Sequence, residues 1–274
     1  MHVEFAAQMV NLPVAGGMSG HLLVLLLAAV PISGGVMTTN RTDDNTDHWG
    51  EIDGVSIDFP MVVEDMRQAT LTYTVPIDAA RALIPGDGFE VLEIAPGSAM
   101  FLVALVDYVT NPWGDYNEVN LGLLAYPTGQ PERAGAFVYR MPVDQEFTMR
   151  AGNQVLGLPK TVEDLTFDYV GDSVVVELSM GGEPTLKITL PRVRTDDAPT
   201  ATETVTFSYL DGVPTELPLT IEMGAGVIDP AEVVMELGTS AVADELRTLG
   251  LPMDPDMALW GEALQGTFLL PRPV

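Results

Sequence analysis

Two hairpin signals in tandem constrain the fold of this chain more than any other feature. Leu165–Val170 and Ser173–Ser179 are strand-like runs separated by Gly171-Asp172, a two-residue pair suited to the tight turns that join antiparallel strands. Gly181-Gly182 then sends the chain back into Thr185–Leu190. The same texture runs through the rest of the sequence. Leu71–Val75 alternates, and Ala99–Val109 is a long apolar run that suits a strand buried on both faces. Val119–Tyr126, Ala134–Val143, Thr204–Leu210, Leu217–Met223 and Val233–Leu237 add further strands. Chains built of short hairpin-linked strands close into barrels or sandwiches.

Helix signals are few. Asp78–Leu83 lies between Pro76 and Pro85 and has room for a turn or two. Asp144–Leu156 offers Asp144 as an N-cap and Glu146 in the first turn, with Phe147, Val155 and Leu156 on one face. Thr239–Leu249 has Ser240 as a cap and Gly250 as a stop. The class expected is α+β, mostly β. No repeat, low-complexity segment or long linker follows residue 50, so 51–274 reads as one domain.

Residues 1–50 read differently, as a flexible or signal-like extension. Leu22–Ile32 is apolar but too short to span a bilayer, which takes about 20 residues. Its length suits a signal-peptide core, yet no Lys or Arg precedes it. The chain is therefore placed in the cytoplasm, without a stable membrane span. Residues 38–50 are polar and read as a flexible arm.

Composition excludes several functions. The formal net charge is −27, from 39 acidic and 12 basic residues spread along the chain. Such a surface repels nucleic acid and anionic membranes, and no basic stripe offsets it. With no cysteine, disulfides, thiolate catalysis and cysteine-held metals are excluded. The three histidines, His2, His21 and His48, show no metal-ligand spacing, so no metal site is expected.

What remains is lysine. The chain has two, Lys160 and Lys187, where about 15 would be ordinary. Lys160 sits in Val155-Leu156-Gly157-Leu158-Pro159-Lys160-Thr161-Val162, an apolar stretch. Apolar surroundings disfavour an ammonium, and the free amine attacks ketones to form a Schiff base. Lys187 alternates with apolar residues and reads as a solvent-face side chain.

Asp144–Leu165, containing Gly152-Asn153-Gln154 and Gly157-Leu158-Pro159-Lys160, resembles the acetoacetate decarboxylase-like superfamily. In that family a helix bearing Gly-Arg-Glu leads into Gly-x-Pro-Lys. Tyr73–Pro85, Gly114–Glu118 and Gly266–Arg272 agree in order, so the resemblance covers roughly 55–274. It implies a coiled antiparallel sheet forming a cone-like β-barrel with a few peripheral helices, in a homo-oligomer. It also implies decarboxylation of a small 3-oxo acid through a lysine imine, with no cofactor. Other branches use the lysine for aldol condensation and dehydration of 2-oxo acids. A non-catalytic barrel for a small ligand is the rival from another class.

The resemblance implies Lys160 as nucleophile and Glu118 as the group that protonates or positions the enamine. It implies Arg67 as the partner of the substrate carboxylate, with Arg150 in reserve. Gln154 would bond a substrate oxygen, and Tyr116 shares a strand face with Glu118. The family's lysine after the nucleophile is Thr161 here, so desolvation alone must favour the free amine. The Arg and Glu of Gly-Arg-Glu are Asn153 and Gln154, and a second glutamate falls at Val103. Glu163 and Asp164 are expected to point away from the amine.

Overall fold

A computed structural model describes residues 47–274. The expectations for residues 1–46 lie outside the described residues. Strands β1 (Asp47–Ile52) and β2 (Val55–Phe59) form a hairpin, followed by β3 (Met61–Pro76) and helix α1 (Ile77–Arg81). Short β4 (Phe89–Val91) and β5 (Glu93–Ala95) precede the long strands β6 (Ser98–Thr110), β7 (Tyr116–Pro127) and β8 (Gly135–Val143). Helix α2 (Glu146–Leu156) leads into β9 (Lys160–Val162). The meander is β10 (Asp164–Val170), β11 (Ser173–Met180) and β12 (Glu183–Pro191). Next come β13 (Thr200–Leu210), β14 (Val213–Met223), β15 (Gly226–Ile228) and β16 (Val234–Leu237). Helix α3 (Ala241–Thr248), β17 (Met257–Phe268) and β18 (Arg272–Pro273) complete the chain.

Seven strands close a barrel in the order β17-β3-β6-β7-β8-β13-β14, with β14 returning to β17. The ring is antiparallel except at β8 and β13, which pair in parallel through Ala136–Thr206 and Phe137–Phe207. The mostly β class and the barrel agree with the sequence reading. Closing a sheet demands local bends, and bulges supply them. Register shifts fall between Asp65 and Met66 on β3, between Leu121 and Gly122 on β7, and on both sides of Leu264 on β17.

The long strands carry two apolar faces, so the described residues form two main cores, beside a small cluster of Phe89, Ala125, Phe137 and Phe207. Inside the barrel, Met66, Val106, Met141, Val143, Leu217 and Leu264 pack with Ala151 and Val155 of α2. Outside, Leu71, Phe101, Leu105 and Leu121 pack against the second sheet, ordered β10-β11-β12-β16, and against α3. Alternation along one strand assigns each residue to one core or the other.

Three expectations change. Asp47–Gly50 belong to a strand rather than to the polar arm, turned by Asp53-Gly54, both at positive φ. The α2 cap is Gln145, whose side chain accepts from the Thr148 amide. Asp144 instead binds the Asn117 amide and side chain. The last long strand is β17, starting at Met257 and running between β3 and β14. Its Glu-Ala-Leu-Gln segment favours helix locally, and pairing on both sides overrides that preference.

Candidate active site

Lys160 reaches the barrel interior through a local device. Helix α2 ends at Gly157 in the left-handed region, φ 67. A Cβ there would lie 2.9 Å from Leu210 backbone and side-chain atoms, so both conformation and space require glycine. Leu158-Pro159 then carries the chain into β9, which pairs in parallel with β8 at Met141–Lys160. The Asn153 side chain fixes the start of that strand. Its Oδ1 accepts from the Lys160 amide and its Nδ2 donates to the Lys160 carbonyl, both at 3.0 Å. Gly152 makes room for the lysine stem, since a Cβ there would lie 2.7 Å from Lys160 Cδ.

The amine ends beside Glu118. Nζ lies 2.7 Å from Glu118 Oε2, and both side chains are only 3% exposed. That oxygen has no aligned donor, so the contact is electrostatic. The aligned hydrogens of Nζ go to the Tyr116 hydroxyl and Thr148 Oγ1, each at 3.1 Å. The other carboxylate oxygen, Oε1, accepts from Asn120 Nδ2 at 3.0 Å and from the Tyr108 hydroxyl at 3.3 Å. Tyr108 and Tyr116 stack with ring centroids 4.4 Å apart. Burial, then the neighbouring Glu118 charge, raises both phenols well above their ordinary range and keeps them protonated.

These groups line a cavity of about 150 Å³ inside the barrel. Its wall is largely apolar, with Val106, Leu156, Leu219, Ile221 and Phe268 among its members. Lys160 is its only cation and Glu118 its only carboxylate among the described residues. Gln68, Thr70, Asn120, Thr204 and Thr206 add neutral polar groups to the two tyrosines, and Gln68 Nε2 donates to Thr70 Oγ1 at 2.8 Å.

The structure thus brings Lys160, Glu118 and Tyr116 together and leaves Arg67 and Gln154 elsewhere. Arg67 faces outward, 2.7 Å from Asp107 and stacked on Tyr169 with its guanidinium 4.9 Å from the ring centre. The bulge between Asp65 and Met66 shifts inward parity from Met61 and Val63 to Met66 and Gln68. Gln68 therefore occupies the inward place next to Arg67. Gln154 is exposed on α2, because the buried stripe of that helix uses Ala151, Gly152, Val155 and Leu156. Arg150 pairs with Asp53 at 2.5 Å and with Glu146. Val103 faces the outer core, and its inward neighbours Leu102 and Ala104 also lack a carboxyl group. Asp164 is exposed, and Glu163 accepts from the Gly181 amide. Lys187 sits half-exposed against Glu177.

Thr148 and Asn153 were not anticipated. Thr148 is 12 residues from Lys160 and carries no motif of its own. Asn153 sits in the place of the resembled motif's arginine, and its role is to hold backbone.

The family described as Acetoacetate decarboxylase (ADC) matches residues 48–224, more than half of the chain. No curated protein matches the sequence. Among solved structures, one described as "Structural Studies of Acetoacetate Decarboxylase" aligns with TM-score 0.57 at 16% identity, covering 78% of this chain and 89% of that one. Acetoacetate decarboxylase from Legionella pneumophila subsp. pneumophila str. Philadelphia 1 aligns with TM-score 0.55 at 18% identity, covering 78% and 87%. Enduracididine biosynthesis enzyme MppR with HEPES buffer bound aligns with TM-score 0.51 at 20% identity, covering 78% and 88%. At these identities the likeness is one of fold. Among the described residues, no helix is long and apolar enough to cross a membrane.

Proposed function

This chain belongs to the acetoacetate decarboxylase family, and from that premise we propose that it is a Schiff-base-forming lyase that decarboxylates a 3-oxo acid with Lys160 as nucleophile. One observation supports this above the others: a buried lysine amine 2.7 Å from a buried carboxylate, inside an apolar cavity.

Attack requires the neutral amine, and Glu118 is the base placed to take the ammonium proton. Moving one proton from Nζ to Glu118 leaves a neutral amine and a neutral acid and removes two charges from a low-dielectric site. The amine keeps two hydrogens, enough for the Tyr116 and Thr148 hydroxyls. A neighbouring cation, missing at Thr161, is not needed for this transfer.

Nζ then attacks the C3 carbonyl of the substrate, and loss of water gives an iminium. The C1–C2 bond breaks, CO2 leaves, and the electron pair moves into the C2=C3 bond of an enamine. Glu118, having given its first proton to the departing water, takes up one from solvent and passes it to C2, and water hydrolyses the imine to a ketone and the free lysine. Tyr108, Asn120 and Tyr116 hold the two reacting groups in place. We assign this activity to the 51–274 unit, acting in the cytoplasm as a homo-oligomer.

Borohydride trapping with 3-oxo and 2-oxo acids, read by peptide mapping, tests the reading. A Lys160 adduct together with CO2 release supports it. An adduct formed only with 2-oxo acids redirects the same lysine to aldol and dehydration chemistry. No adduct in a folded sample leaves the ligand-binding barrel.

A further inference from the structure

Resting on the imine reading, we propose that the site selects 3-oxo acids with an aliphatic tail, releasing the corresponding methyl ketones, over acetoacetate itself. The argument begins with what the cavity lacks. Among the described residues its only cation is Lys160, and that charge is committed to the iminium, opposite Glu118. Arg67, the nearest residue in sequence to serve a carboxylate, lies on the other face of β3 and is engaged by Asp107. Of the neutral donors, Gln68 is engaged on Thr70 and Asn120 on Glu118, which leaves the uncharged hydroxyls of Thr204 and Thr206. The buried Asn120 Oδ1 has no partner, and as an acceptor it repels a carboxylate. The two-carbon head of the substrate therefore gains little from direct recognition.

What the cavity offers is apolar wall. Leu219, Ile221 and Phe268 line it together with Val106 and Leu156. Each methylene buried there is expected to raise kcat/KM about fourfold, equivalent to about 0.8 kcal/mol. Acetoacetate has one methyl group beyond its carbonyl and uses little of this wall. The volume, about 150 Å³, equals that of a protein cavity that takes up benzene, and because the head of the substrate occupies part of it the tail is short, about two or three carbons.

The atoms balance as in the shorter substrate. The tailed 3-oxo acid anion takes up one proton at C2, loses C1 as CO2, and leaves as a ketone with a terminal methyl group.

The experiment is a chain-length series on the unmodified protein. CO2 release and borohydride trapping are measured with 3-oxobutanoate, 3-oxohexanoate and 3-oxooctanoate. The expected result is a kcat/KM that climbs by on the order of tenfold for each two carbons until the cavity is full. Ile221→Phe is expected to move the preferred tail shorter and Ile221→Ala to move it longer, with folding of each checked by circular dichroism. A flat series, or one led by 3-oxobutanoate, with Lys160 adducts throughout, overturns tail selection and leaves the imine reading standing. No Lys160 adduct with any of the three overturns the imine reading, and tail selection falls with it.

Discussion

A charge pair lies on each side of the barrel wall, Arg67 of β3 with Asp107 of β6 outside and Lys160 of β9 with Glu118 of β7 inside, and the two differ in their surroundings. On the outer side, Arg67 meets Asp107 with side chains 34% and 17% exposed, and Tyr169 donates to the same carboxylate at 2.5 Å. Arginine cannot be deprotonated in a protein, so this pair serves structure, bridging β3 and β6 while Tyr169 ties it to the second sheet. On the inner side the cation is a lysine, both partners are buried, and the space beside them is open. A lysine can give up its proton and act as a nucleophile, which an arginine cannot. On the proposed function, burial, a transferable proton and adjacent volume are what separate the reactive pair from the structural one.

The sharpest way to break this contrast is to remove the lysine. Lys160→Ala is expected to lower turnover by on the order of 10⁴ or more and to abolish trapping. It also strands Glu118, and breaking one side of a buried pair costs about 3–5 kcal/mol. Lys160→Met with Glu118→Leu removes both charges and is expected to regain most of that stability in denaturant titrations while staying inactive. A double variant no more stable than the single one contradicts the account of the pair. Glu118→Gln comes next. It keeps the shape and loses the proton carrier, so turnover is expected to fall by about 10²–10⁴. Trapping at Lys160 persists more slowly; unchanged CO2 release would remove Glu118 from the reaction.

The inner pair was legible in sequence for reasons the outer one was not. Lys160 stood out by rarity and by its Gly-x-Pro-Lys setting, and Glu118 by sharing strand period with Tyr116. Arg67 was misplaced because the resemblance supplies a position along the chain but not a face, and a one-residue bulge at Asp65–Met66 reverses the faces of β3. Gln154 was misplaced by motif position, though the helical stripe through Ala151 and Val155 already excludes it. Thr148 and Asn153 act on Lys160 across a helix and a turn, a juxtaposition that no local pattern encodes. Two turn signals were readable and passed over. Asp53-Gly54 and Asp211-Gly212 are Asp-Gly pairs at positive φ, and they close the β1–β2 and β13–β14 hairpins. The parallel β8–β13 contact that helps close the barrel joins segments more than 60 residues apart and has no sequence signature.

Alkaline titration sharpens the comparison through tyrosines, which both sides bury. Tyr108 and Tyr116 inside, and Tyr73, Tyr139 and Tyr169 outside, are all raised above the ordinary value of 10, with burial the largest cause. Each folded hydroxyl holds its proton more tightly than the unfolded one does. Their contribution is therefore full below pH 10 and is lost as pH rises from there toward the folded values. Stability is expected to fall by up to about 1.4 kcal/mol per pH unit for each tyrosine that stays protonated. Denaturant titrations between pH 9 and 11 check the slope, and Tyr73→Phe should reduce it by one tyrosine's share. A slope unchanged in that variant would mean that the buried hydroxyl is not linked to folding.

The smallest expected effect is the most discriminating for the outer side. Arg67→Ala removes a half-exposed pair and one stacking contact, together about 1 kcal/mol of stability. Because its guanidinium faces the second sheet, kcat/KM should stay within about twofold of the parent. A guanidinium that bound the substrate carboxylate would behave otherwise, its loss weakening binding by about tenfold or more. Placing the cation on the inner face makes the reverse test. Gln68→Arg should raise the relative rate on 3-oxobutanoate, because a carboxylate would then find the partner that the native cavity lacks. If Arg67→Ala raises KM and Gln68→Arg leaves the substrate order untouched, carboxylate recognition crosses β3 from the outside, and the division of labour between the two faces fails.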